Sequence, residues 1–129
     1  QFSGHTVVED NVTIGGMTGF HQFVTVGKMA MVGGMSRVNQ DVPPFAIVEG
    51  NPAAVRGLNV IGLERHGVDT EARAALRTAF RLLFRSEHNL SDALEAVRQQ
   101  VPDGPELSYL CDFLRRVSQG SMGRQLSHR

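Results

Sequence analysis

A β-solenoid built from hexapeptide rows, followed by a small α-helical domain, is the fold this sequence predicts, and three observations predict it. Bulky apolar residues recur every six positions at Phe2, Val8, Ile14, Phe20, Val26, Val32 and Val38. Two consecutive prolines, Pro43 and Pro44, end that register. Beyond Asp69 the apolar spacing changes to the three-and-four pattern of a helix face.

The six-residue period comes first in the chain. From position 8 the rows read Val-Glu-Asp-Asn-Val-Thr, Ile-Gly-Gly-Met-Thr-Gly, Phe-His-Gln-Phe-Val-Thr, Val-Gly-Lys-Met-Ala-Met, Val-Gly-Gly-Met-Ser-Arg and Val-Asn-Gln-Asp-Val-Pro. One row supplies a short strand and a turn, and three rows close a triangular coil whose apolar residue points to the axis. The position four after each apolar residue is small or β-branched: Val12, Thr18, Val24, Ala30, Ser36 and Val42. Glycine directly follows the apolar residue in Ile14-Gly15, Val26-Gly27 and Val32-Gly33, where it is expected to relax the corner. A β-sandwich of short strands would instead alternate with period two, and that alternation is absent. Six rows make two coils. Stacked arrays need several units to bury a continuous core, so further coils before Gln1, or an unusual cap, are expected.

Proline lacks the amide that a ladder needs, so the register stops at residues 43–44. Phe45 to Ala53 reads as a strand leading into a turn. Asp69 or Thr70 can cap a first helix, with Leu76, Ala79, Phe80, Leu83 and Phe84 on its buried face. A second helix is predicted from Asn89 or Ser91, burying Leu90, Leu94, Val97 and Val101, with Pro102 and Gly104 to stop it. A third starts near Pro105 and buries Leu107, Leu110, Cys111, Leu114 and Val117. The chain therefore divides into residues 1–62, the last solenoid coils with their terminating strand and loop, and residues 63–119, an α-helical domain. Residues 120–129 form a polar, glycine-containing tail expected to be flexible.

Thirteen basic and thirteen acidic residues in a chain of 129 balance to a formal net charge of zero. No overall field points to nucleic acid or to an anionic membrane. The single cysteine, Cys111, has no partner for an internal disulfide and no neighbouring His or Cys to suggest a metal site. No apolar stretch approaches the about 20 residues that span a bilayer, and no basic-then-apolar leader opens the chain, so a cytoplasmic location is expected. The first residue is Gln1 rather than Met.

Four segments carry a resemblance to a known family: Gly-Gly-Met-Thr-Gly-Phe-His-Gln-Phe at 15–23, Met-Val-Gly-Gly at 31–34, Gln-Asp-Val-Pro-Pro at 40–44 and Gly-Leu-Asn-Val at 57–60. With the following Leu-Glu-Arg and a helical tail of matching length, the chain resembles the C-terminal half of the lipid A UDP-N-acetylglucosamine acyltransferases over essentially its whole length. The resemblance implies a left-handed parallel β-helix, a homotrimer with active sites in clefts between neighbouring solenoids, and transfer of a 3-hydroxyacyl chain from acyl carrier protein to the sugar 3-hydroxyl. It implies no cofactor and no metal, the acyl donor riding on the carrier protein's phosphopantetheine. A histidine general base, chemically apt because imidazole titrates near neutrality, is expected in the coil before Gln1, so the chain alone is expected to be inactive.

Residue by residue, the resemblance implies that Gly4 gives an oxyanion-hole amide and that His5 lines the reaction centre. It places His21 and Gln22 near the substrates and gives Asn59 and Arg65 contacts to the nucleotide sugar, Arg65 through its forked donors. Met31 and Gly34 match a groove that measures the acyl chain. Glycine at 34 leaves that groove open, and at roughly 0.8 kcal/mol per methylene an open groove favours a long chain of about fourteen carbons. Two positions depart from the family pattern, Pro52 where some relatives carry histidine and His66 where a second arginine often follows Arg65.

Arg73, Arg77, Arg81 and Arg85 recur every four residues along the first predicted helix. Like charges at that spacing repel by a few tenths of a kcal/mol per pair, which an acidic carrier protein would offset. A solvated face, partly compensated by Glu71 and Glu87, is the plainer reading. Three other functions share the solenoid, and one is the related N-acyltransferase acting later in the pathway, whose sequence patterns fit the post-repeat segment less well. A γ-type carbonic anhydrase needs three histidines converging on zinc, and His5 and His21 lack a third at a matching coil position. A non-catalytic trimeric scaffold or carrier-protein-binding fragment needs no base at all.

Overall fold

The computed structural model describes residues 6–119. Six two-residue strands open it: β1 (Val7–Val8), β2 (Thr13–Ile14), β3 (Gly19–Phe20), β4 (Thr25–Val26), β5 (Met31–Val32) and β6 (Arg37–Val38). The first three each pair in parallel with the strand three further on, Val7 with Thr25, Thr13 with Met31 and Gly19 with Arg37. That offset of three rows is the solenoid: three faces per coil, each coil stacked on the last. The second residue of each strand points inward, and Phe20, Val26, Val32 and Val38 are buried. Val24, Ala30, Ser36 and Val42 fill the axis between them and are buried too. Val8, on the first described rung, is 38 % exposed.

The corners correct one expectation. Positive φ falls on Asn11, Met17, Phe23, Met29 and Met35, at 57° to 66°, six residues apart and none of them glycine. Gly15, Gly27 and Gly33 serve a different need, the close approach of one coil to the next. A Cβ on Gly15 would stand 2.4 Å from the Gly34 amide nitrogen, one on Gly27 2.5 Å from Pro44 N, and one on Gly33 2.7 Å from the Glu49 Cβ. Backbone stacked this tightly admits no side chain.

At the prolines the coil shortens. Val42 bridges Val26, and Ile47 pairs with Met31, sixteen residues on rather than eighteen. The turn is held by Asp41, buried at 3 % exposure, whose Oδ1 accepts from the Thr25 amide at 2.7 Å. The next strand, β7 (Ala46–Gly50), forms the third rung on the β2–β5 face. After the turn at Asn51 and Pro52 the chain returns as β8 (Ala53–Leu58), antiparallel to β7. The sequence showed only the first of these two strands, because Ala-Ala-Val-Arg-Gly-Leu has neither clean alternation nor strong β propensity.

Four helices follow: α1 (Val60–Arg65), α2 (Thr70–Phe84), α3 (Leu90–Gln100) and α4 (Pro105–Ser118). The first is too short for periodicity to reveal, and the boundary expected at 62/63 falls inside it. The other three begin where their caps predict. Asp69 accepts from Ala72 N and Asn89 from Asp92 N, each at 2.8 Å, and Pro105 opens α4. Their core adds Ala93, Ala96 and Phe113 to the apolar residues expected, whereas Phe84, Leu90 and Leu94 are only partly buried against it.

One apolar cluster joins solenoid and helices. Phe45 meets the Tyr109 ring edge-on at 6.0 Å, and the Lys28 ammonium lies 4.3 Å above that ring. The Tyr109 hydroxyl donates to the Glu9 carboxylate, which also accepts from the Lys28 amide at 3.2 Å. Burial, and then the Glu9 carboxylate, hold the Tyr109 phenol above its usual range. Burial likewise raises the Cys111 thiol.

Candidate functional site

Gly4 and His5, and the tail expected at 120–129, lie outside the described residues. His21 and Gln22 follow β3 directly and both are exposed. The His21 amide donates to the Val38 carbonyl at 2.9 Å, so the β3–β6 ladder continues through residue 21. Side chains two apart on a ladder share a direction; His21 therefore points outward with Gly19, while Phe20 between them is buried.

Met31 leads β5, flanked by Thr13 and Ile47 on the neighbouring strands, and is 40 % exposed. Gly34 sits three residues on, at the corner. A Cβ there would stand 3.3 Å from the Gly16 carbonyl oxygen, so the position is snug but not sealed. The corner methionines Met17 and Met35, one coil apart, are 85 % and 76 % exposed. Met17, Met31 and Met35 thus leave thioether side chains in water around bare glycine backbone, an adaptable apolar surface of a kind suited to alkyl chains.

Asn59 occupies a structural position. It is buried, its amide donates to the Met29 carbonyl at 2.9 Å, and its carbonyl oxygen caps α1 at the Gly62 amide at 3.1 Å. The side chain expected to meet a nucleotide sugar is taken up in tying the solenoid corner to α1. At the other end of that short helix Arg65 is exposed, with exposed His66 beyond it as the C-cap. Asn59 thereby fixes where Arg65 begins its reach.

The arginine stripe divides. Arg73 is largely enclosed, with Nη1 donating to the Val68 carbonyl at 2.6 Å and Nη2 3.8 Å from Glu64. Arg85 caps the end of α2 and donates to the Arg56 carbonyl at 2.5 Å, pinning the helix to β8. Arg77 and Arg81 are exposed and form no ion pair among the described residues. With Arg85 they rim a notch of about 290 Å³ between α2 and β8, whose walls include Val55, Leu58, Phe80 and Phe84. The four equivalent docking residues expected are two structural cations and two available ones.

A cleft of about 650 Å³ lies elsewhere, between the start of α2, the end of α3 and the start of α4. It shares no residue with the predicted site. Its lining is helix caps, alanines and carboxylates such as Asp69, Glu71 and Asp103, with no thiol or imidazole. Among the described residues no three His, Cys, Asp or Glu side chains converge to hold a metal, and no helix is long and apolar enough to cross a membrane.

Sequence reasoning missed Arg37. It pairs with Gly19, and its guanidinium lies along that glycine: a Cβ on Gly19 would stand 3.4 Å from Nη1. The available signal was its place in the row, one residue before an inward valine and therefore outward on the coil.

Comparison with known proteins completes the description. The sequence model of the family described as Udp N-acetylglucosamine O-acyltransferase, domain 2, matches residues 41–122. The chain is 47% identical over 123 residues to the acyl-[acyl-carrier-protein]–UDP-N-acetylglucosamine O-acyltransferase of Synechocystis sp., covering 94% of the chain and 44% of that relative. It is 46% identical over 114 residues to the protein of the same name from Gloeothece citriformis, covering 88% and 41%. Among solved structures, the Arabidopsis UDP-N-acetylglucosamine acyltransferase aligns with a TM-score of 0.85 at 34% identity, over 96% of this chain and 45% of that one. The Bacteroides fragilis UDP-N-acetylglucosamine acyltransferase aligns at 0.82 and 38%, over 85% and 43%. The chain spans less than half the length of these relatives.

Proposed function

This chain belongs to the UDP-N-acetylglucosamine O-acyltransferase family, and on that premise we propose that the protein carrying it moves a 3-hydroxyacyl chain from acyl carrier protein to the 3-hydroxyl of UDP-N-acetylglucosamine, the first step of lipid A synthesis. What carries the reading is identity over nearly the whole chain to relatives named for this reaction. A methionine and glycine surface at the solenoid corner supports it, being apolar where an acyl chain needs burial.

In this reading a histidine base outside the described residues takes the 3-hydroxyl proton, and the oxygen attacks the thioester carbonyl. The Gly4 amide stabilises the resulting oxyanion, and His5 lines the reaction centre. Collapse breaks the carbon–sulfur bond, and the carrier's phosphopantetheine thiolate leaves and regains a proton. His21 and Gln22 hold the substrates near the β3–β6 edge. Arg65, set by Asn59, pairs with phosphate, and Met31 with Gly34 admits a long acyl chain. Arg77 and Arg81 meet the acidic carrier protein. The coils wind left-handed, as in the family, three chains assemble with sites in the clefts between them, and the enzyme works in the cytoplasm without cofactor. The solenoid, residues 1–62, serves chemistry, and the helical domain, residues 63–119, serves docking.

The test is acyl transfer from labelled 3-hydroxymyristoyl carrier protein to UDP-N-acetylglucosamine. The full gene product should turn over and the 129-residue chain alone should not. Silence from the full product, with carrier protein still bound, would leave the scaffold or carrier-binding reading in its place. Robust turnover by the short chain would overturn the location given to the base.

A further inference from the structure

The outward face of the β3–β6 pair holds a cation that forms no ion pair among the described residues. Arg37 is exposed and forms no hydrogen bond or ion pair among the described residues. Its side chain is nonetheless directed, because Cδ and Nη1 run along Gly19, 3.5 Å and 3.4 Å from where a Cβ would be. That contact carries the guanidinium along the first coil at Gly19, on the outward side that His21 shares. Gln22 follows at the same corner.

The carboxylates of Asp41 and Glu49 are engaged elsewhere. Asp41 is buried with Oδ1 on the Thr25 amide. Glu49 stacks against Gly33 from the third rung, whereas Arg37 reaches the opposite way, toward the first. Glycine at position 19 gives the Arg37 side chain room to lie along the first coil, where a Cβ would be in ordinary contact with it. An outward guanidinium and imidazole on the two paired strands, with an exposed primary amide at the corner that follows, present several donors. A guanidinium fork matches a phosphate oxygen pair in geometry as well as charge.

We infer that Arg37, flanked by His21 and Gln22, forms an anion subsite that takes a phosphate group of a substrate. The inference rests on the acyl-transfer reading, since both substrates in that reading are phosphate esters: the diphosphate of the nucleotide sugar and the phosphodiester of the carrier's prosthetic arm.

Titration calorimetry on the full gene product separates the two sources. UDP-N-acetylglucosamine and 4′-phosphopantetheine are each compared with their phosphate-free counterparts, N-acetylglucosamine and pantetheine. Arg37→Ala should weaken one phosphate compound about tenfold, equivalent to about 1.4 kcal/mol, and leave the phosphate-free compounds unchanged. Arg37→Lys, which keeps the charge but loses the fork, should recover part of that loss. The compound that loses affinity identifies the source. If Arg37→Ala binds both phosphate compounds within twofold of the parent while acyl transfer persists, the subsite is wrong and the functional reading stands. If the unaltered protein binds neither compound, both fall together.

Discussion

Two glycines at one solenoid corner should respond oppositely to the same methyl group. Gly15 and Gly34 face each other across stacked coils, and neither has a left-handed φ, so alanine meets no backbone penalty at either. A Cβ on Gly15 would stand 2.4 Å from Gly34 N and 2.6 Å from Gly34 Cα, both backbone atoms that cannot swing aside. Ordinary contact begins near 3.4 Å, so the coils must part by about 1 Å. The ladder bonds on either side, Gly15 N to Val32 O and Met35 N to Gly16 O, are each 2.8 Å and would open to about 3.8 Å, beyond hydrogen-bond range. Two lost bonds at about 1 kcal/mol each, with about 1 kcal/mol of packing strain, come to about 3 kcal/mol. At roughly 4 °C per kcal/mol for a chain of this size, Gly15→Ala should lower the melting temperature by about 12 °C. Gly34→Ala meets only Gly16 O at 3.3 Å, needs a shift of a few tenths of an ångström, and should cost under about 1 kcal/mol. Thermal unfolding followed by circular dichroism measures both. A Gly15→Ala variant melting within 2 °C of the parent by that measurement, or above Gly34→Ala, would refute coil stacking as the reason for glycine at 15.

Because Gly34 tolerates a side chain, Gly34→Met in the full gene product should fold and shorten the preferred acyl chain, each excluded methylene shifting selectivity by about 0.8 kcal/mol. Competition between acyl carrier proteins of graded chain length reads this, and an unchanged preference removes Gly34 from chain measurement. Arg77→Glu with Arg81→Glu should weaken carrier-protein binding at least about tenfold, or 1.4 kcal/mol, without moving the melting temperature. Arg73→Ala should instead cost about 1 kcal/mol of stability by removing the donor to Val68 O; the reverse pattern in surface plasmon resonance and melting would show that the stripe was assigned backwards. The Tyr109 phenol, raised by burial and by Glu9, keeps its proton in the folded state at a pH where the unfolded chain gives it up. Stability from this group is therefore complete below its ordinary value near 10 and declines as pH rises beyond it. Tyr109→Phe should lose about 1 kcal/mol near neutrality and show a flatter decline above pH 10 in denaturant titrations; an equal alkaline slope in both proteins would count against the Tyr109–Glu9 contact.

What the sequence by itself determined is whatever depends on the direction of a side chain from its own backbone. The six-residue spacing specified which residue of each strand faces the axis, and Val26, Val32 and Val38 lie there. Helix caps at Asp69 and Asn89, and Pro105 at the head of α4, are short-range chemistry and were legible for the same reason. The site was legible only in part. His21, Met31 and Gly34 carry recognisable neighbours in sequence, but their outward placement follows from the ladder they join. Tertiary structure decided everything set by atoms distant along the chain. Gly15 and Gly27 are required by backbone from the next coil rather than by their own torsions, and the left-handed corners fell to Met17, Phe23 and Met35 instead. Asn59 was drawn into a bond with Met29, thirty residues earlier, and Tyr109 into one with Glu9, a hundred residues earlier. The evenly spaced arginines separated into braces and free cations because Val68 O and Arg56 O happened to lie within reach of two of them. Periodicity encodes which way a side chain points, and only the folded chain determines what it meets there.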